Sequence, residues 1–182
     1  MTAAVSTGIG NFALATVATS GPAPEASLIA SDFISTAPTR KPMRVRLPEG
    51  LPHGATLSLM KAIQSLSRLR QLESRWDGRS AEMITDDACE TAVRLLVSLA
   101  IPAPPTAQIF PLIDGGVQLE WHAGGNDVEI EVDQIGEIHA FISMCDGSVV
   151  LNQELPPSLI PLIIPQIKQQ LRRMSLLLDK LA

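Results

Sequence analysis

Hydrophobic and polar residues alternate strictly along two runs in the middle of the chain, at residues 117–122 and 127–133. Alternation with a period of two is typical of strands that bury one face. Breaks containing Gly or Asn separate these runs from each other and from a third run at residues 137–142, as tight hairpins require. We therefore predict an antiparallel meander, around which the rest of the chain is organised.

The alternation also specifies how the strands pair, with loops at residues 123–126 and 134–136. Apolar residues then face apolar residues in these cross-strand pairs: Val117–Val132, Leu119–Ile130, Trp121–Val128, Val128–Ile142, Ile130–Ala140 and Val132–Ile138. A slip of one residue would turn all of these side chains to solvent, so this register is strongly favoured.

The opposite face of the predicted sheet carries the polar residues of the same strands. They are Gln118, Glu120, His122, Glu129, Glu131, Asp133, Glu137 and His139. In this register Glu120 lies opposite Glu129, and such a like-charge pair destabilises a sheet by up to about 1 kcal/mol. Glu131 lies opposite His139, which is a favourable pair.

A first helix is predicted at residues 56–76, because apolar residues recur there at spacings of three and four. Thr56 caps its start, and the run Trp76-Asp77-Gly78 ends it. Trp76 is interpreted as a large anchor that packs the helix end onto the core, with a ligand pocket around its ring as the alternative.

A second helix is predicted at residues 86–100, capped by Thr85 or Asp86. A strand at residues 108–112 leads into the meander, and Pro111 confines it to an edge of the sheet.

The dipeptide Asp146-Gly147 predicts a two-residue turn after the third run. A fourth strand follows it through Leu151. In that pairing Met144 faces Val149, again apolar against apolar.

The last predicted helix runs from about Pro165 nearly to the end of the chain. Its apolar residues recur at spacings of four, three, four and three: Ile167, Leu171, Met174, Leu178 and Leu181. A helix folded back on the sheet is favoured, and a seam that forms a homo-oligomer through this helix is the alternative.

Together these elements predict an α+β fold, with an antiparallel meander of three to five strands packed on two or three helices and a disordered N-terminal tail. We divide the chain into a disordered or loosely docked tail at residues 1–47, a core domain at 48–155 and a C-terminal amphipathic helix at 156–182. The core domain contains the meander at about residues 107–151. The tail is rich in Ala, Ser, Thr, Gly and Pro and has little apolar surface to bury.

A short basic cluster in the tail consists of Arg40, Lys41, Arg44 and Arg46. An anion or nucleic-acid contact is one interpretation, but a solvated linker or a strand with Val45 inward is favoured, since no aromatic residue accompanies the charges. The whole chain has a net charge of -5, 3% aromatic residues and no Tyr, which disfavours a general nucleic-acid binder.

The two cysteines, Cys89 and Cys145, form no CxxC motif and fit idle thiols in a reducing cytoplasm. No apolar run reaches the roughly 18 residues that a membrane-spanning helix needs. The weakly apolar patch at residues 9–18 has no basic residue before it, unlike a secretory signal. We predict a cytoplasmic protein with no membrane contact and no cofactor.

Four motifs stand in order along the chain: Trp76-Asp77-Gly78, the Pro-rich residues 102–105, the run DGGVQLEWH at residues 114–122, and the Glu-Ile-Glu run at 129–131. This pattern resembles a group of small uncharacterised bacterial and phage-borne proteins, over roughly residues 60–142. The group has no established activity, so the resemblance implies a bacterial or phage origin and no mechanism. Its members often carry an aromatic residue two places after the Gly of the first motif, where this chain has Ser80.

Carboxylates and imidazoles share the polar face of the predicted sheet: Glu120, His122, Glu129, Glu131 and His139. Both groups bind divalent metals, and a cation would remove the repulsion between Glu120 and Glu129. A metal-dependent hydrolase is therefore the alternative function. No HExxH or comparable spacing fixes a geometry, so we assign neither a metal site nor catalytic residues.

The favoured hypothesis is a non-catalytic protein-binding module. Its acidic sheet face, together with Trp76, would bind a protein partner with a basic surface. By analogy with small mobile bacterial and phage proteins, such a module serves as an accessory, antitoxin-like, immunity or defence-associated subunit.

Overall fold

A computed structural model describes residues 27–29, 40 and 43–180. The chain divides after Leu47 into two compact units. In the first unit, strand β1 (Ser27–Ile29) pairs antiparallel with strand β2 (Arg44–Arg46). Val45 is buried and Arg46 is exposed, as the strand interpretation of the basic cluster predicts. The predicted disorder of the remaining tail concerns residues outside the described ranges.

The second unit contains an antiparallel sheet of five strands and three α-helices. Its elements, in chain order, are α1 (His53–Leu69), α2 (Asp86–Leu99), β3 (Gln108–Pro111), β4 (Val117–Ala123), β5 (Asn126–Val132), β6 (Ile138–Ser143), β7 (Val149–Leu155), a 3-10 turn (Pro157–Leu159) and α3 (Ile160–Asp179). The strands are neighbours in sequence order, so the sheet is a meander with β3 and β7 at its edges. The predicted α+β fold is confirmed.

The register predicted from the alternation is confirmed at every apolar pair of the central strands. Val117 faces Val132, Leu119 faces Ile130, and Trp121 faces Val128. The β5–β6 pairs follow the prediction in the same way. These side chains are almost wholly buried beneath the helices, which contact β3, β4 and β5. The sheet therefore has one apolar face covered by helices and one polar face.

Two turns differ from the predicted ones. The first hairpin loop is Gly124-Gly125 alone, because both glycines take positive φ values (58° and 76°) that close a two-residue turn. In the β6–β7 pairing Ile142 lies opposite Leu151, and a bulge then places Ser143, not the predicted Met144, opposite Val149. The predicted fourth strand also extends beyond Leu151 to Leu155.

The predicted bounds of the first helix are wrong at both ends. Helix α1 begins at His53 after Pro52, so Thr56 lies inside its first turn and its hydroxyl donates to the Pro52 carbonyl at 3.2 Å. The helix ends at Leu69, well before Trp76. Arg70 keeps helical backbone angles, and the N–H groups of Gln71 and Leu72 then bond carbonyls three residues back, which closes the last turn. The buried Arg70 side chain pairs with Asp86 at the start of α2, with Nε 2.9 Å from Oδ1.

The second helix begins at Asp86 as predicted, and Thr85 is its N-cap. The Thr85 hydroxyl oxygen accepts from the Ala88 N–H at 3.1 Å and donates to the carbonyl of Gln134, in the β5–β6 turn, at 2.7 Å. One side chain thus caps α2 and ties it to the sheet.

Helix α3 starts at Ile160, so Pro165 lies inside the helix and does not begin it. Pro165 lacks an N–H and leaves one helical hydrogen bond unmade, which the burial of the neighbouring apolar residues offsets. Ile167, Leu171 and Met174 are buried in the core of their own chain. A seam through them is therefore not available to a second copy; Leu178 is exposed, and Leu181 lies outside the described residues.

Gly116, at the start of β4, provides a test of how tightly the sheet is packed. A Cβ added there would meet the backbone carbonyl oxygen of Val132, which cannot move without breaking the β4–β5 ladder. We expect Gly116→Ala to lower the free energy of unfolding by about 1–3 kcal/mol, as measured by urea denaturation.

Gly54→Ala is the matched control, because no atom lies within 4 Å of an added Cβ in that helical position. This variant should gain about 0.5–1 kcal/mol from the better helix propensity of Ala. Equal effects of the two substitutions would contradict the packing described here.

An acidic face of the sheet as candidate functional site

The polar face of the sheet forms three cross-strand rows, which together we call the open face. The first row is Gln108, Glu120, Glu129, Phe141 and Asn152; the second is Phe110, Gln118, Glu131, His139 and Glu154; the third is His122, Asp127 and Ser143. Strand alternation sets this arrangement, because the apolar neighbours of these residues are turned to the helices. The strand pairing that buries the apolar side chains therefore also determines which residues lie on the open face.

Charge is sharply segregated between the sheet and the rest of the chain. The segment from Gln108 to Leu155 contains nine Asp and Glu residues and neither Lys nor Arg. All 14 Lys and Arg residues lie within residues 40–94 and 168–180. On the strands of the sheet, the only groups that can carry positive charge are thus His122 and His139.

His122 lies between two carboxylates on the open face. Its Nδ1 is 2.7 Å from Oδ1 of Asp127, which is opposite it in the ladder, and its Nε2 is 2.9 Å from Oε2 of Glu120. Because ionised carboxylates only accept hydrogen bonds, both ring nitrogens must donate, which requires the imidazolium. The hydrogen bond that His122 donates to Asp127, and then the one that it donates to Glu120, raise the pKa of His122 above its usual value.

Glu129 is the least favourably placed carboxylate of this cluster. Partial burial raises its pKa, and the charges of Glu120 and Asp127 raise it further, while His122 opposes the change. Glu120 lies directly opposite Glu129, as predicted. Burial and the neighbouring carboxylates therefore disfavour the ionised form of Glu129, which a cationic group from outside the chain would stabilise.

A hollow adjoins Glu129 on the β6–β7 side. It is lined by Glu129, Glu131, His139, Phe141 and Asn152. His139 Nε2 lies 2.8 Å from the Asn152 side-chain oxygen, and its Nδ1 lies 3.7 Å from Glu131. The hollow thus combines two carboxylates with an aromatic ring, which are the groups that bind a guanidinium.

The open face brings together five of the six residues predicted to bind a partner: Glu120, His122, Glu129, Glu131 and His139. Trp76 is not on the sheet. It lies in the loop between α1 and α2, where its indole N–H donates to the Glu82 carbonyl at 3.1 Å. Of the weak anion-binding candidates, Arg44 and Arg46 lie on β2 of the first unit, and Lys41 lies outside the described residues.

The loop that contains Trp76 is held by its own hydrogen bonds. The Asp77 carboxylate accepts from the backbone N–H groups of Arg79 (2.8 Å) and Ala81 (3.1 Å), which lowers its pKa. Glu82 and Thr85 then donate backbone N–H groups to the β3–β4 turn. The motif Trp76-Asp77-Gly78 thus stabilises the conformation of this loop through hydrogen bonds of Trp76 and Asp77.

Three further residues belong to the site: Asp127, Phe141 and Asn152. The predicted register already places Asp127 opposite His122, although the polar residues assigned to the open side do not include it. Phe141 interrupts the alternation of residues 137–142, and its position on β6 places it among the polar residues. Asn152 lies beyond the predicted end of the fourth strand.

No group of three or more His, Cys, Asp or Glu side chains in the described part of the chain is arranged to hold a metal ion. The two thiols do not enter the site: Cys89 is buried in α2, and Cys145 is exposed in the β6–β7 turn. A cavity of about 30 Å³ lies on the helical side, lined mainly by apolar side chains such as Leu59, Leu96 and Trp121. This volume holds roughly one water molecule.

Comparisons of the chain with protein-family models, with curated proteins and with solved structures find no match. The resemblance to the bacterial and phage-borne group therefore rests on the motif residues alone. Within the described residues, no helix has both the length and the apolar character needed to cross a lipid bilayer.

The His122 cluster predicts a specific dependence of stability on pH. Because the folded-state pKa of His122 is raised, its contribution is complete below the unfolded value of 6.5 and is lost as the pH rises through the folded-state value. The side chain is 41% exposed, so we expect His122→Gln to cost only about 0.5–1 kcal/mol. This cost should be largest between about pH 5, where carboxylates are ionised, and pH 6.5, as measured by urea denaturation across that range.

The control is His53→Gln, which removes an exposed histidine at the start of α1. A direct measurement is the titration of the His122 ring by NMR. A cost of His122→Gln that increases toward alkaline pH would contradict the proposed pairing.

Proposed function

We propose that this chain is a non-catalytic protein-binding module, whose open face binds an Arg-containing surface of a protein partner. The observation that carries the proposal is the charge segregation: the sheet segment holds nine acidic residues and neither Lys nor Arg. A basic partner would stabilise the ionised form of Glu129, which burial and the neighbouring carboxylates disfavour. Complementary potentials of this kind favour fast and specific association.

The hollow beside Glu129 supports arginine as the side chain that the partner contributes. A guanidinium can bind one of the two carboxylates, Glu129 or Glu131, while its plane stacks on the Phe141 ring. Lysine carries the same charge but lacks the planar fork, so it gains less from this set of groups. Phe110, which is exposed in the same row as Glu131, adds an apolar contact at the β3 side.

The alternative of a metal-dependent hydrolase on the same face gains no support from the geometry. Both ring nitrogens of His122 are already hydrogen-bonded to carboxylates, and Nε2 of His139 is hydrogen-bonded to the side-chain oxygen of Asn152. A role of the module in antitoxin, immunity or defence systems stays a prediction by analogy.

Charge reversal at the hollow tests the proposal. We expect Glu129→Lys and Glu131→Lys each to weaken partner binding at least about tenfold, because an introduced ammonium repels the partner's guanidinium. The measurement is copurification of the tagged full chain with its partner from cells that encode both, followed by titration of the purified pair at several salt concentrations. Binding should weaken steeply as salt rises.

Glu90→Lys is the matched control, since it makes the same change in net charge at an exposed position of α2. A second measurement follows the NMR signals of Phe141 and Asn152 during addition of a short Ser/Arg peptide, with a Ser/Lys peptide of equal charge for comparison. A partner that binds Glu129→Lys and Glu90→Lys equally well would overturn the proposal.

A further inference from the structure

His122 supplies the chain's own positive charge at one end of the open face. Its Nδ1 is 2.7 Å from Oδ1 of Asp127 and its Nε2 is 2.9 Å from Oε2 of Glu120, and 41% of the side chain is exposed. The segment from Gln108 to Leu155 contains no Lys or Arg that takes this place. A cation from another molecule therefore meets an imidazolium that already binds two of the carboxylates.

Glu120 and Glu129 form the closer of the two kinds of antiparallel pair. The Asp133 N–H bonds the Glu137 carbonyl, so the odd-numbered residues of β5 direct their backbone groups to β6. Glu129 is therefore a non-hydrogen-bonded partner of Glu120, and in such pairs the Cα atoms are about 4.5 Å apart. Two carboxylates at this spacing can bind one guanidinium together, since its five N–H donors form a rigid planar fork.

Glu120 extends the hollow beside Glu129 by one strand. Glu129 lies between Glu120 on β4 and Phe141 on β6 in the same cross-strand row. Neighbouring strands are about 4.8 Å apart, so a guanidinium that stacks on Phe141 and binds Glu129 is one strand away from Glu120. Glu120 is thus placed to supply a further carboxylate once its bond to His122 is released.

A neutral imidazole cannot donate to both carboxylates, because only one of its nitrogens carries a hydrogen. Asp127 is the more firmly held of the two: its bond to His122 is the shorter, and its Oδ2 also accepts from the Ser143 hydroxyl at 3.2 Å. Among the described residues, the Glu120 carboxylate accepts from His122 alone. Loss of one proton from His122 therefore releases Glu120 and leaves Asp127 bound.

The other ionisable side chains at this end of the sheet lie on β4, on β5 and in the β6–β7 turn: Glu120, Asp127, Glu129, Cys145 and Asp146. Strands β3, β6 and β7 add only neutral residues to the two rows around His122: Gln108, Phe141, Ser143 and Asn152. The helices cover the opposite face, and His139 lies two rows away, about 14 Å along the strands. His122 is thus the described group beside Glu120 that can carry positive charge.

We propose that a guanidinium of the protein partner replaces the His122 imidazolium at Glu120: it binds Glu120 and Glu129 together, and His122 gives up one proton to the buffer. Resting on the proposed function, this exchange adds a third carboxylate to the site that contains Glu129 and Glu131. One positive charge arrives as another leaves, so the carboxylates keep a cation throughout. The proton and the partner compete, so binding tightens as the pH rises until His122 is neutral in the free chain.

The test uses a Ser/Arg peptide with acetylated and amidated ends, so that only guanidinium groups carry charge and none of them titrates between pH 6 and 9. Calorimetry gives its dissociation constant for the full chain across this range. We expect binding to tighten about tenfold per pH unit up to the folded-state pKa of His122 and then to level off, because one proton is released. By the same linkage, saturating peptide should lower the pKa of the His122 ring, as followed by NMR.

His122→Gln retains a neutral donor for Asp127 but has no ionisable ring, so it reproduces the deprotonated state. Its affinity for the peptide should equal the alkaline value of the native chain and stay nearly constant from pH 6 to 9. His53→Gln is the matched control, because it removes a histidine at the start of α1 and should keep the native pH dependence.

Glu120→Gln tests the carboxylate itself. It should weaken peptide binding about tenfold at pH 9 and change it little at pH 6, where the native Glu120 is bound to His122. Glu137→Gln is the matched control, since it removes an equal charge at an exposed position beside the β5–β6 turn.

The outcomes separate this exchange from the proposed function. A pH dependence that survives in His122→Gln, or equal losses from Glu120→Gln and Glu137→Gln at pH 9, overturns the exchange; the proposed function then still stands if Glu129→Lys weakens binding of the same peptide. A native chain that does not bind the peptide at any pH in the range overturns both.

Discussion

The burial of one face of β4, β5 and β6 is the constraint on which the rest of the second unit depends. The inward side chains of these strands include Val117, Leu119, Val128, Ile130, Val132 and Ile138, which are almost completely buried. Each contributes about 1.5–3 kcal/mol when removed from water. The like-charge contact between Glu120 and Glu129 costs at most about 1 kcal/mol, so burial decides the register and the polar face must accept the repulsion.

The same constraint explains how much of the structure the sequence predicts. The cross-strand partners of the central strands follow from a period of two, as do the places of Glu120, Glu129 and Glu131 on the acidic face, and the structure reproduces both. The C-terminal end of α1 does not follow from its periodicity, because Leu72 continues the helical stripe, whereas the N–H groups of Gln71 and Leu72 bond carbonyls three residues back and close the last turn. Pro165 likewise predicts a helix start when only its neighbours in sequence are considered, whereas α3 begins five residues earlier, at Ile160, where tertiary packing supports it.

The site itself is predicted only where a residue's role follows from its strand position. Glu120, Glu129 and Glu131 are identified by alternation alone. The pairing of His122 with Asp127 follows from the same register, whereas the contribution of Asn152 depends on where β7 ends. Strand ends are decided by one or two backbone angles, so site residues near them are harder to predict from sequence than those in the middle of a strand.

Pro111 has a consequence that extends beyond its own strand. It removes a backbone donor from β3, so this side of the sheet is a poor template for any further strand. A sheet that can grow at one side only reaches a finite size after a single pairing event. Uncontrolled growth into fibrils needs two edges on each molecule that can accept a strand, and this proline removes one of them.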